Sequence, residues 1–170
     1  DRITPQENLS FALKGSYAFR RYFSFSANVA MSAFSTDRRA DKVTTSETKR
    51  FDKIFDTRYT SLARFAGDVS VNFNSPTFNT SVFYRMVQPD YLTLGTNYLA
   101  NNYHSLGLTM GTYLFKKVAL SATFSGQEDN LTNRQLYTTR GYVYSANAST
   151  RFGEHFNLSA AYSGYLTTQA

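Results

Sequence analysis

The sequence predicts an all-β fold, an antiparallel up-and-down transmembrane β-barrel, and three observations support this. Apolar and polar residues alternate with a period of two along about eight segments. Each segment is about twice as long as an ordinary strand of ~5–6 residues, which is the length that a tilted strand needs to cross a bilayer. The connections between segments are short and long in turn. Residues 1–170 are expected to form a single β-barrel region.

The alternation continues from one end of the chain to the other. In the first segment, Leu9, Phe11 and Leu13 occupy one face while Ser10 and Ala12 occupy the opposite face. The remaining segments repeat this arrangement, and the three prolines fall outside all of them. The predicted strands cover residues 9–20, 23–32, 63–73, 78–86, 105–114, 117–124, 142–152 and 156–166.

The lengths of the connections predict where the barrel would lie in its membrane. Short turns are predicted at 20–22, 74–77, 115–117 and 153–155, and long polar segments at 35–59, 88–103 and 126–139. Outer-membrane barrels have short periplasmic turns and long extracellular loops. By this topology both chain ends lie on the long-loop side, whereas bacterial barrels begin and end in the periplasm. We therefore expect an arc of a larger barrel.

The two faces predict different surroundings for their side chains. The polar face consists mainly of Ser, Thr, Asn, Ala and Gly, with a few charged residues that are candidates to face the lumen: Lys14, Arg64, Asp68 and Arg85. Aromatic residues on the apolar face flank the short turns and predict a girdle at the membrane interface: Phe19, Phe23, Phe73, Phe78, Phe152 and Phe156. Alternation is equally compatible with a soluble all-β barrel or sandwich that encloses an apolar ligand, so this alternative stays open.

Composition and spacing argue against several other functions. The chain contains no cysteine, which excludes disulfides and thiolate metal sites, and no apolar run is long enough for a membrane helix. The net charge of +6 comes from scattered basic residues without a nucleic-acid-binding motif. We therefore expect no nucleic acid as a partner.

No arrangement of residues indicates catalysis, a cofactor or a metal site, so we do not expect an enzyme. His104 and Ser105 are neighbours on a strand and point to opposite faces, so they cannot form a base–nucleophile pair. His155 lies at the opposite strand end from His104, and the adjacent acids Glu128 and Asp129 are a weak cation signal. Residues 35–59 carry seven basic and five acidic residues, typical of a solvated loop or of one that contacts lipopolysaccharide or a protein.

Three motifs in the second half of the chain carry a family resemblance. They are QPDYLTLG at 88–95, NYLANN at 97–102 and DNLTN at 129–133. Over residues 85–166 the sequence resembles large outer-membrane β-barrel proteins of the Bacteroidota, in which a similar P-x-Y-x-x-L-G loop precedes a hairpin and a D-N-L loop follows it. The resemblance implies a bacterial outer-membrane location, with lipid, lipopolysaccharide and envelope proteins as partners. It implies a channel or transport barrel, or the membrane-embedded subunit of an envelope complex, and no catalytic residues.

Overall fold

A computed structural model describes residues 4–43, 54–94, 100–115, 117–152 and 156–170. Within these ranges the chain forms one antiparallel sheet whose eight strands lie in sequence order, and it contains no helix. The all-β, up-and-down prediction is therefore confirmed. The strands are β1 Glu7–Phe19, β2 Phe23–Ser35, β3 Ser61–Asn74, β4 Phe78–Val87, β5 Tyr103–Leu114, β6 Val118–Asp129, β7 Thr139–Phe152 and β8 Phe156–Gln169.

The register of the strands keeps like residues together on each face. Leu13 pairs with Val29, and Lys14 pairs with Asn28 on the opposite face. A slip of one residue would move every apolar side chain to the polar face, so the alternation itself specifies the register. Two of the short turns contain a residue with a left-handed backbone conformation, Arg20 at φ 56° and Phe115 at φ 52°, as three-residue hairpin loops often do.

The predicted long loop at 126–139 is wrong at its beginning, because β6 continues to Asp129. Gly126 suggested a loop, but it pairs with Tyr142 in the sheet. The Tyr142 ring lies 3.2 Å from the point where a Cβ on Gly126 would be, so glycine leaves room for that ring. The loop after β6 therefore comprises only residues 130–138.

The sheet is open in this structure. β1 and β8 form its two edges, and among the described residues they make no contact with each other. Each edge strand is long, with 13 residues in β1 and 14 in β8. Closure into a barrel and a membrane location therefore remain predictions.

The buried apolar residues do not lie on the apolar face. Four large side chains in the described part of the chain are 5–7% exposed: Phe34, Phe55, Val87 and Tyr91. By strand parity, Phe34 and Val87 belong to the polar face, and Phe55 and Tyr91 belong to the long loops. The small core thus lies at the end of the sheet where the long loops are, and its two strand residues lie on the polar side.

The apolar face is uncovered across the whole sheet. Leu13 on β1 is 65% exposed, Val71 on β3 is 50% exposed, and Leu158 on β8 is 53% exposed. No other strand of the described chain packs on this face, because every contact between strands joins sequence neighbours within the one sheet. Large exposed apolar surfaces of this kind mark contact with another protein or with a membrane.

Four strand glycines differ in what lies over them. Gly107 lies under the Phe83 ring and Gly164 under the Tyr144 ring, so these two positions leave room for aromatic side chains. Gly67 and Gly111 approach polar atoms instead. A Cβ on Gly67 would lie 2.8 Å from the backbone oxygen of Asn28. A Cβ on Gly111 would lie 2.6 Å from the side-chain oxygen of Asn79.

Gly107→Ala is expected to lower the free energy of unfolding by ~1–3 kcal/mol, because the new methyl group displaces the Phe83 ring. Gly15→Ala is the matched control, since no atom lies within 4 Å of the position of its Cβ. There alanine should be neutral or stabilising by ~0.5–1 kcal/mol. Urea titrations of both variants in detergent check this, and equal effects would contradict the role of the ring.

Candidate functional site

The polar face carries a row of directly opposed residues that crosses five strands. From β1 to β5 the row consists of Lys14, Asn28, Asp68, Arg85 and Ser105. Neighbouring strands lie ~4.8 Å apart, so three of the four predicted lumen residues stand at one level of the sheet. Whether this face lines a lumen stays a prediction.

Only some of the charged groups in the row have a hydrogen-bond partner in the described chain. Asn28 donates its side-chain N–H to Asp68 Oδ2 over 2.8 Å. Asp68 opposes Arg85 in the register, yet no ion pair within 4.0 Å joins them. Neither Lys14 nor Arg85 has a hydrogen bond or an ion pair with any residue in the described ranges. Their donor groups are therefore available to water or to a ligand.

Arg64, the fourth predicted residue, lies at a different level and has a structural partner. It opposes Ser32 on β2, and its Nε donates to the backbone oxygen of Pro89 over 2.9 Å. Arg64 therefore holds the beginning of the loop that follows β4. Alternation along β3 does not predict this contact.

Residues 88–94 of that loop fold back over the polar face to reach β1 and β2. The Ser32 hydroxyl donates to the backbone oxygen of Leu92. Asn8 Oδ1 accepts from the Leu94 N–H over 3.2 Å and from the Thr93 hydroxyl over 3.3 Å. The loop turns at Asp90, whose φ is 57°. Residues 88–94 are called the inner loop below.

Two cavities lie on the polar face, and the inner loop lines only the first of them. The first, of about 450 Å³, is lined in part by Lys14, Asp68 and Tyr91. The second, of about 370 Å³, extends across β4 to β8. Arg85 and Tyr103 line both cavities, so the two spaces adjoin at these side chains.

Asparagines connect the loops at this end of the sheet. Asn130 is 5% exposed at φ 61°, and its side-chain N–H groups donate to Gln135 O, Tyr137 O and the Thr138 hydroxyl. The Asn130 N–H donates to Asn102 O over 3.0 Å. Two of the three motifs thus meet here, because Asn102 ends the second motif and Asn130 belongs to the third.

The predicted girdle lies at the short-turn end of the apolar face. The Phe23 and Phe73 ring centroids are 4.8 Å apart, and those of Phe73 and Phe78 are 6.2 Å apart. Phe19 opposes Phe23 in the register. At the other edge of the sheet Phe152 pairs with Phe156 through the backbone, and the Phe152 side chain lies outside the described part.

A polar row marks the other end of the apolar face. His104, Glu128 and Arg140 oppose one another across β5, β6 and β7. Arg140 donates to both Glu128 carboxylate oxygens, over 3.0 and 3.2 Å. The His104 ring centroid is 6.1 Å from that of Tyr84. His104 and Ser105 lie on opposite faces, as the alternation predicts, and His155 falls outside the described residues.

The loop between β2 and β3 is held by ion pairs, although residues 44–53 of it lie outside the described ranges. Lys42 Nζ lies 2.8 Å from Asp56 Oδ1, and Arg58 and Arg38 add positive charge nearby. The Lys42 hydrogen bond lowers the pKa of Asp56 below its ordinary value of 3.8. The pair therefore stabilises the loop above that pH, and its contribution is lost as the pH falls through the lowered pKa.

Lys42→Gln is expected to raise the pKa of Asp56 towards 3.8, because the largest cause of the lowering is removed. An NMR titration of the Asp56 carboxyl carbon measures this directly. Arg39→Gln is a control of the same charge change in the same loop, and its effect on the Asp56 pKa should be smaller. An unchanged pKa in Lys42→Gln would contradict the assigned cause.

Comparison with family models, curated proteins and solved structures gives no match for this chain. Within the described residues, no three His, Cys, Asp or Glu side chains are grouped so that they could hold a metal ion. The same part of the chain has no helix with the length and apolarity needed to cross a membrane.

Proposed function

We propose that this chain is an integral outer-membrane β-barrel protein that acts as a channel or transport barrel, or as the membrane-embedded subunit of a cell-envelope complex. The observation that carries the proposal is the apolar face, which is exposed on all eight strands while the two buried apolar residues of the strands, Phe34 and Val87, lie on the polar side. Such a surface is unfavourable in water and stable against lipid chains. The resemblance of residues 85–166 to Bacteroidota outer-membrane barrels supports the same location.

The two ends of the apolar face are spaced to match a bilayer. On β6, Val118 beside the short turn and Glu128 in the polar row are ten residues apart. At ~3.3 Å per residue and a tilt of ~40°, this corresponds to ~25 Å across the membrane, which equals the apolar band of such barrels. The phenylalanine girdle lies at one boundary of this band, and His104, Glu128 and Arg140 lie at the other.

The unpaired edges of β1 and β8 favour closure in the membrane. Backbone N–H and C=O groups have no water partners in the hydrocarbon region, so edge strands of this length require pairing. We propose that further strands pair with them, which makes this sheet an arc of a larger barrel. Pairing of β1 with β8 in an eight-stranded barrel is the other arrangement that satisfies these groups.

The polar face then lines the lumen, and the inner loop reduces its cross-section. Arg64, Ser32 and Asn8 hold the inner loop against β1, β2 and β3. A loop attached at several points to the wall narrows a pore permanently and does not act as a mobile flap. Conductance would therefore be set by the inner loop and by the row that contains Arg85.

The test combines membrane association and conductance of the intact protein, with every strand that completes the barrel, refolded in the presence of lipid vesicles. We expect the protein to float with the vesicles after a urea wash and to form pores in planar bilayers if it is a channel. Flotation without conductance would favour the subunit of an envelope complex. A protein that stays soluble without detergent would overturn the proposal and favour a soluble all-β protein that binds an apolar ligand.

A further inference from the structure

We propose that the polar face binds a neutral oligosaccharide in the two adjoining cavities around Arg85 and Tyr103. The proposal deepens the proposed function and rests on it, because the polar face is then the lumen wall and the ligand is a solute in that lumen. Nearly all of the hydrogen-bonding groups and aromatic rings required for sugar recognition lie on the sheet itself. The inner loop adds Tyr91.

Charges in the two cavities balance one another. Lys14 and Arg85 supply two cations, and Asp68 and Asp129 supply two carboxylates. An anionic ligand would be attracted by the first pair and repelled by the second, and a cationic ligand would meet the reverse. A neutral ligand with many hydroxyl groups avoids this repulsion and can hydrogen-bond to all four.

Polar groups along the cavities provide both donors and acceptors. Arg85 has five N–H donors without a partner in the described chain, and Asp68 keeps acceptor capacity beyond its one bond from Asn28. The amide of Gln127 and the hydroxyl of Ser105 continue this lining across β5 and β6. Sugar hydroxyls both donate and accept, so they suit a lining of mixed character.

Aromatic rings line the same cavities as these polar groups. Tyr103 is half-buried where the two spaces meet, and Phe83 and Tyr165 line the second. Tyr91 is 5% exposed and forms part of the wall of the first, with little ring surface open to a ligand. The C–H faces of sugar rings are apolar and pack on aromatic rings, while their edges carry hydroxyls. Rigid aromatic side chains provide such contact area at a small cost in conformational entropy.

The shape of the site indicates a ligand of several units. The two cavities adjoin at Arg85 and Tyr103, and together they extend from Lys14 on β1 to Tyr165 on β8. Their volumes, about 450 and 370 Å³, are in the range of small-molecule sites. A linear oligosaccharide fits such an elongated space better than a single sugar.

The test is calorimetric titration of the full chain in detergent micelles with a linear gluco-oligosaccharide of six units. Saturable binding is expected, and Tyr103→Ala and Arg85→Gln should each weaken it about tenfold, since loss of a ring contact or of hydrogen bonds to a charged group costs on the order of 1.4 kcal/mol. Tyr113→Ala is the matched control, because Tyr113 lies ten residues along on the same face of β5 and lines neither cavity. A six-unit oligogalacturonate should bind more weakly than the neutral sugar.

Absence of binding by the folded chain, equal losses in Tyr103→Ala and Tyr113→Ala, or tighter binding of the charged sugar would each overturn the inference. Vesicle flotation of the same preparations keeps the two proposals separate. A chain that floats but binds no sugar contradicts this inference alone. A chain that does not float contradicts the proposed function, and the lumen site with it.

Discussion

Val82→Arg is expected to destabilise the protein in its proposed membrane-inserted state by ~2–4 kcal/mol, the cost of a cation that faces lipid near the bilayer midplane. Val82 is 43% exposed on the apolar face of β4. Its cross-strand neighbours are Val71 on β3 and Leu108 on β5, so the new guanidinium has no polar partner at that level. The loss of stability is measured by vesicle flotation: the fraction of protein that floats after a urea wash is followed as a function of urea concentration.

Ser81→Arg is the matched control, one residue away on the opposite face. Ser81 opposes Asn72 and Thr109, both polar, and its side chain points towards the proposed lumen. We expect little change in membrane association for this variant and a reduced conductance if the protein is a channel. Equal losses of flotation in the two variants would show that the apolar face does not contact lipid.

Asn130→Ala is expected to open the loop at 130–138 at a cost of ~2–3 kcal/mol, because the loop loses several part-buried hydrogen bonds to this one side chain. The Asn130 side chain donates to three groups in that loop and accepts from the Gln135 N–H over 3.0 Å. Alanine is also less favourable than asparagine at the φ of 61°. Hydrogen exchange of the Gln135 and Leu131 amides would measure the opening.

Asn133→Ala separates the cost of the lost hydrogen bonds from the cost of alanine in the left-handed backbone conformation. Asn133 has a similar backbone conformation, φ 52°, in the same loop, but it is exposed. Its replacement should show only the conformational cost, and exchange at Gln135 should change much less than in Asn130→Ala. The assignment of Asn130 as the residue that holds the loop fails if the two variants exchange equally.

Local periodicity predicts the sheet and its faces well. The alternation of Leu9, Phe11 and Leu13 with polar neighbours gives both the strand and its register, since side chains alternate with a period of two. Counting residues back from the short turns gives the pairs Lys14–Asn28 and Asp68–Arg85, but a long loop joins these two hairpins, so their alignment in one row could not be counted in this way. Strand ends are predicted less well, because they depend on pairing with the next strand. The sequence predicts that Gly126 begins a loop, but it pairs with Tyr142 and lies inside β6.

Contacts between distant parts of the chain could not be predicted in this way. Arg64 and Arg85 both occupy polar-face positions in the alternation. Arg64 nevertheless holds the inner loop, whereas Arg85 faces a cavity. The difference depends on where residues 88–94 fold, which is set by Ser32 and Asn8 far away in the sequence. Periodicity likewise places Gly67 and Gly111 in strands without showing which atoms approach them.

The attachment of the inner loop has a consequence for the order of folding. All strand contacts in the described chain join sequence neighbours, so hairpins can form and add to one another stepwise, and the longest connection to be closed is residues 36–60. The bonds from Asn8 to Thr93 and Leu94 span 85 and 86 residues, and they can form only after β1 to β4 are in place. They should therefore be a late step in folding, and replacing Asn8 with Ala should speed unfolding while leaving the folding rate nearly unchanged.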